Sequence, residues 1–355
     1  MSDGTATRRR GLTKSHRRIL GAAGSIAVVV LVFVFVLPRI ADYRDVLNVV
    51  RDLGWRDWIA LALAVVLNLV TFAPPWMAAL PGLSFREAMA MTQASTALSI
   101  ISPAGAAVGM AASYSMLRSW RFAAASVGLA VAIAGLWNQL MNLLFPVVAL
   151  ALLTAEDEDH PALRTAALIG LAVLVVAVTA FALVLSRPSR AQRIGDLAAR
   201  LAGLAMRPFG RGRVEWGGGS FVRFRTQALG LLRRRWHVIT IATLAGHLTV
   251  FVLLLVCLRV VGLTSSEISV VEAFAAWALV RILGALPLTP AGVGIVEVGL
   301  SGALVAFGAP NAEAVAATLL YRALTVLPTL ALGLLAVATW RTHHPGDSIE
   351  SPGDS

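Results

Sequence analysis

Residues 287–297 read PLTPAGVGIVE, and residues 102–109 read SPAGAAVG. Each stretch sets a hydroxyl residue before Pro-Ala-Gly inside a chain that is otherwise almost wholly apolar. Proline removes a backbone donor and glycine frees the backbone, so both stretches interrupt a helix. In hydrocarbon, freed backbone groups are tolerated only where they face protein or a water-filled cavity. Two such breaks therefore imply a polar cavity inside a membrane bundle.

The composition supports the membrane setting. The 355 residues are 58% hydrophobic and 14% charged, against roughly 25% charged in soluble domains. Apolar runs at about 19–37, 57–74, 122–153, 162–185, 237–260 and 312–340 are long enough to cross a hydrocarbon core of about 30 Å. Continuous rather than alternating hydrophobicity makes the class all-α. With the interrupted segments 86–118 and 268–309, the expectation is a polytopic helix bundle of about eight membrane segments. The basic N-terminus RRRGLTKSHRR precedes an apolar run with no small-x-small cleavage site, so it reads as a retained first helix. The domain division expected is a basic tail over 1–18, a membrane domain over 19–340 and a polar tail over 341–355. In ADYRDVLNVVRDLGW, Tyr43, Val46, Leu47 and Val50 recur at helical spacing, which suits an amphipathic helix in the interface.

Charge orients the spans. Residues 186–236 carry twelve Arg against Asp196 and Glu215, while residues 156–159 are EDED. Lys and Arg mark the cytoplasmic side, so the Arg-rich segment and both termini are expected there, in a cytoplasmic membrane. The walk through the spans closes only if 86–118 dips in and returns on one side. The same reasoning makes 268–309 a hairpin from the opposite face. The expectation is two re-entrant hairpins related as an inverted-topology repeat. The net charge of +11 follows from this loop asymmetry and implies no nucleic acid. The lone Cys257 excludes an internal disulfide and reads as a small packing residue.

The polar residues at membrane depth point to a site. Half-helices starting near Ala106 and Gly294 would aim N–H groups at the cavity, which favours an anion such as phosphate. Glu297 falls one turn after Gly294, Arg281 closes AFAAWALVR just before the second break, and Arg322 lies within TLLYRALTVLP. Charges at this depth are functional candidates, and the natural pairing is Glu297 with Arg322 or Arg281. The alternative reading of these residues is a structural ion pair that locks the bundle. Asn138, Gln139 and Asn142 in WNQLMN are placed to line the cavity or to bond between helices.

LPLTPAGVGIVEVGL followed by ATLLYRALTVLPTLALGLL resembles the C-terminal pattern of the lysylphosphatidylglycerol synthase transmembrane-region family, a flippase-like family. Pro287, Pro290, Gly292, Gly294, Glu297, Tyr321, Arg322 and Pro328 match its Pro-x-x-Pro-Gly-Gly-x-Gly-x-x-Glu, Tyr-Arg and later Pro, with Ala291 replacing one Gly. In the first half SPAGAAVGMAASYSMLR is similar to the family's Pro-Gly-x-x-Gly element through Pro103, Gly105, Gly109 and Arg118, but lacks a basic residue directly after the glycines. The resemblance spans about residues 20–340.

The resemblance implies movement of a lipid, either an anionic phospholipid or a polyprenyl-linked lipid, across the membrane. Taken with the charges at membrane depth, the residues expected to contact the substrate are Pro103, Gly105, Gly109, Arg281, Pro290, Gly292, Gly294, Glu297, Tyr321 and Arg322. Only the tail RTHHPGDSIESPGDS follows the membrane region, so a translocator rather than an aminoacyltransferase is expected. Two other readings fit the pattern: a small-solute transporter and a lipid glycosyltransferase using Asp42, Asp45, Asp52 or Asp57. No G-x-x-x-x-G-K-S/T loop is present, and His343 and His344 stand without a third ligand. No cofactor or metal is therefore expected.

Overall fold

The computed structural model describes residues 43–102, 105–156, 161–190, 192–193, 196–197, 200, 218–284, 289 and 292–340. The expected first span, Asp42, residues 157–159 of the EDED turn, Pro103, Pro287, Pro290 and both tails lie outside the described residues.

Eleven helices make up the described fold: α1 Tyr43–Arg51, α2 Trp55–Thr71, α3 Pro74–Ala79, α4 Phe85–Ile101, α5 Gly105–Ser119, α6 Ala124–Glu156, α7 Pro161–Ser186, α8 Gly218–Val260, α9 Val270–Gly284, α10 Ile295–Ala306 and α11 Asn311–Trp340. Among these residues five spans are long and apolar enough to cross a membrane: α2 with α3, α6, α7, α8 and α11. They fall where the apolar runs predict, with one difference. Helix α8 begins at Gly218 rather than at 237, because Phe224, Leu231 and Leu232 continue an apolar face that packs on the core, with Ala228 fully buried. Arg225 holds this extension by donating from Nε to the carbonyl of Leu185 at 2.8 Å, near the end of α7. The last part of the Arg-rich segment is thus helix rather than loop.

The short amphipathic helix α1 forms as expected and packs on α11. Its buried contact is Val46, while Leu47 is exposed.

The two interrupted segments are U-shaped. In the first, α4 and α5 pack on each other, and Gly82 just before α4 faces Phe122 just after α5. In the second, α9 packs on α10, and Gly308 just after α10 faces the carbonyl of Glu267 just before α9. Each hairpin therefore returns to the level where it began. Among the described residues three helices long enough to cross, α6, α7 and α8, separate the hairpins.

The packing repeats with a two-fold pattern. Exchanging α2–α3 with α8, α4 with α9, α5 with α10 and α6 with α11 maps the main contacts onto themselves. Helix α4 lies on α11 as α9 lies on α6, α5 lies on α6 as α10 lies on α11, and α2 packs on α8. The local sequence repeats as well. A positive-φ glycine and a buried leucine, Gly82–Leu83 and Gly262–Leu263, precede each hairpin. A Ser-x-x-Glu capping box then starts its first helix. Ser84 Oγ accepts from Glu87 N while Glu87 Oε2 accepts from Ser84 N at 2.9 Å. Ser269 and Glu272 do the same, with Glu272 Oε2 accepting from Ser269 N at 2.8 Å. Such boxes satisfy two otherwise unpaired N–H groups and fix where the helix starts.

Close approach at small residues seals the bundle. Gly333 of α11 lies directly against the Gln93 carbonyl and Ala97 of α4, and Gly246 of α8 faces the Thr71 carbonyl of α2. The Thr71 and Thr249 hydroxyls bond across that second crossing at 2.7 Å.

Candidate functional site

The second break builds an ion pair. Gly292 and Gly294 have φ of 66° and 87°, a region open to glycine at little cost, and α10 starts directly afterwards. Glu297 in its first turn is 3% exposed. Its Oε2 accepts from Gly294 N at 2.6 Å and its Oε1 from Arg322 Nε at 2.8 Å. This settles the choice left open by the sequence: Glu297 pairs with Arg322 and not with Arg281. It also changes the role of the helix N-terminus. The anion at the start of α10 is the protein's own carboxylate, so that end of the helix does not present its N-cap N–H to a ligand.

Arg281 is held differently. Its Nη2 donates to Asn142 Oδ1 at 2.7 Å and meets His247 Nδ1 at 2.9 Å. A guanidinium can only donate, so Nδ1 accepts and the imidazole proton sits on Nε2. The guanidinium carbon stands 4.7 Å from the Trp277 ring centroid, within cation–π range. Trp277 is itself packed against Phe145, Phe251 and Phe274 at centroid distances of 5.2, 5.6 and 5.6 Å. Every partner of Arg281 named here is uncharged. Its Nε is buried without a hydrogen-bond partner, and no carboxylate pairs with it among the described residues.

Two cavities of about 280 Å³ each meet at this point. Arg281, Tyr321 and Arg322 line both. The first is otherwise bounded by the second hairpin and α6, through Gly284, Val296, Leu300 and Asn142. The second lies against the first hairpin and α2, through Gln93, Thr96 and Asn68, with Asn138 from α6 and Thr325 and Thr329 from α11. The row of Arg281, Tyr321 and Arg322 thus divides a space on one hairpin's side from a space on the other's.

The remaining residues singled out in the sequence separate into two groups. Arg281, Glu297, Tyr321 and Arg322 converge here, joined by Asn142 and Asn138 of WNQLMN, while Gln139 accepts from Asn142 Nδ2 at 3.2 Å. Gly105 and Gly109 lie against Ser99 and Ser95 within the first hairpin and line neither cavity. Gly292 and Gly294 shape the break without lining either. Of the carboxylates considered for glycosyl transfer, Asp57 is occupied as a helix cap, accepting from Gly54 N at 2.9 Å, and Asp45 and Asp52 are exposed. No group of three or more metal-ligating side chains occurs among the described residues. His247, Asn68 and Gln93 carry no motif and are visible as site residues only once the helices are packed.

The family model for the lysylphosphatidylglycerol synthase transmembrane region matches residues 22–333. No curated protein matches the chain. This chain belongs to that family and is an integral membrane protein.

Proposed function

We propose that this protein moves a phosphate-bearing anionic lipid, either a phospholipid or a polyprenyl-linked lipid, across the cytoplasmic membrane. In this reading the Arg-rich segment and both termini face the cytoplasm, the headgroup passes through the two cavities, and the chain carries no catalytic step. The observation that carries the proposal is Arg281. A guanidinium at membrane depth costs about 3 kcal/mol on insertion scales, a cost that a neighbouring carboxylate offsets. Arg322 has one; Arg281 has Asn142, His247 and the face of Trp277. These groups orient a cation without cancelling it, which leaves its charge for an incoming phosphate. Glu297 keeps Arg322 from competing for the same anion and fixes its position beside Tyr321.

Reconstitution tests this directly. In proteoliposomes holding a lipid with a fluorescent label on its acyl or prenyl chain, outside dithionite quenches only the outer leaflet unless lipid exchanges. The wild-type protein should raise the quenched fraction of an anionic lipid above the half seen in protein-free vesicles. Glu297→Gln and Arg322→Ala should lose this activity while remaining inserted. Unchanged quenching by the wild type, together with uptake of a small solute, would replace the lipid reading with that of a solute transporter.

A further inference from the structure

The cavity against the first hairpin has a chemical character of its own. Beyond the arginines, Tyr321 and His247, its polar lining is side-chain amides and hydroxyls (Asn68, Gln93, Asn138, Thr96, Thr325 and Thr329), set among the apolar Phe72, Ile100, Val250 and Val326. Among the described residues no aspartate, glutamate or lysine lines it. Two of the amides are unsatisfied. Asn68 and Gln93 are 5% and 4% exposed, yet neither Asn68 Oδ1 nor Gln93 Oε1 has a hydrogen-bond partner. Leaving a buried acceptor unmade costs about 1–3 kcal/mol, and two of them on one wall call for a ligand that donates.

We infer that this cavity is a headgroup subsite for an uncharged, hydroxyl-bearing group, a glycerol or a sugar, esterified to the phosphate that Arg281 holds. The inference rests on the lipid reading above and narrows its substrate. A hydroxyl both donates and accepts, so it matches amides and threonines whichever way each amide is turned. An ammonium headgroup also donates, but it would enter a wall with no carboxylate beside two guanidiniums, one of them without a counter-charge. That repulsion is screened less there than in bulk water. A bare phosphate monoester satisfies Arg281 and leaves Asn68 and Gln93 as they are. The subsite therefore favours hydroxylated headgroups and disfavours aminated ones.

The test compares labelled lipids in the same dithionite assay, with the label on the acyl or prenyl chain. The panel is phosphatidylglycerol, a polyprenyl-phosphoryl hexose, phosphatidic acid, phosphatidylethanolamine and a lysine-esterified phosphatidylglycerol. The wild type should move at least one of the two hydroxylated lipids about tenfold faster than either aminated lipid, and the faster of the two identifies the source of the headgroup. Gln93→Met should slow the hydroxylated lipids by about tenfold, the size expected when a buried hydrogen bond is lost, and leave phosphatidic acid unchanged. Gln93→Glu should shift preference toward the aminated lipids, and it keeps the test meaningful if the apolar variant fails to fold. Equal rates for all anionic lipids, unmoved by either substitution, would overturn the subsite and leave the proposed function intact. Aminated lipids moving as fast as hydroxylated ones would overturn it as well. If no lipid in the panel moves, the proposed function and the subsite fall together.

Discussion

The two hairpins share a scaffold and differ in charge. Both are entered through a positive-φ glycine and a buried leucine, both start with a Ser-x-x-Glu box, and both close on themselves after a break. Counting from the boxes, Thr96 lies twelve residues after Ser84 and Arg281 twelve after Ser269, and both side chains line the same cavity. One repeat thus brings a hydroxyl to the position where the other brings a guanidinium. The second half also supplies Glu297 and Arg322; the first supplies Asn68, Gln93 and Asn138. A duplicated frame provides the geometry, and the divergence of a few buried side chains provides a charged wall and a neutral one.

The largest expected effect comes from erasing that difference. Arg281→Gln should reduce transport of an anionic lipid by about 100-fold, the scale of losing one partner of a desolvated charge contact. The protein should still elute as a folded species, because Asn142 and His247 remain neutral and can bond to the amide. Placing a carboxylate opposite, by Thr96→Glu, should have the same result by giving Arg281 a counter-charge of its own. An undiminished rate in Thr96→Glu would show that the two positions do not face one anion.

Next in size is the ion pair found only in the second half. Removing Arg322 alone strands Glu297, which is 3% exposed, and stranding one member of a buried pair costs about 3–5 kcal/mol. Thermal unfolding in detergent should show a large drop for Arg322→Ala and a smaller one for Glu297→Gln with Arg322→Gln together. Additive losses would mean that the pair is not coupled.

Packing at the hairpins should respond less. Gly333→Leu forces a side chain into Gln93 and Ala97 across the α4–α11 crossing, an overpacking of about 1–3 kcal/mol. Gly302→Leu on α10, where the site is open, should leave the melting temperature unchanged and serves as the control. The smallest effects belong to the caps. Ser84→Ala and Ser269→Ala should each cost about 1 kcal/mol and should match one another, since the two boxes have the same geometry. A marked inequality would show that the hairpins are unequal scaffolds as well as unequally charged.

Much of this was legible in the sequence. Apolar length located α2, α6, α7 and α11 to within a few residues, and Pro and Gly located both breaks. The need for a charge at membrane depth to find a partner picked out Arg281, Glu297 and Arg322. What sequence could not supply was distance. Arg281 lies 16 positions from Glu297 and Arg322 lies 25, and nothing in that spacing says which pairs. His247 reads as one polar residue in an apolar helix, and Asn68 and Gln93 read as ordinary interhelical amides until the packing leaves their oxygens without partners. The start of α8 was obscured by its arginines, whose charge reads as loop although the apolar residues between them form a helix face. The repeat itself was more visible than the two Pro-Ala-Gly stretches suggest, because SFRE and SVVE carry a capping pattern that can be read without coordinates.

The account depends most on the hairpins entering from opposite faces to share one site. Arg86 and Ser265 are both exposed and lie at the mouths of the first and second hairpins. With the buried Cys257 replaced by alanine, Arg86→Cys and Ser265→Cys can each be offered a membrane-impermeant maleimide in intact cells. The account predicts that Ser265→Cys is labelled from outside and that Arg86→Cys is labelled only after the membrane is opened. Labelling of both from the same side would contradict it.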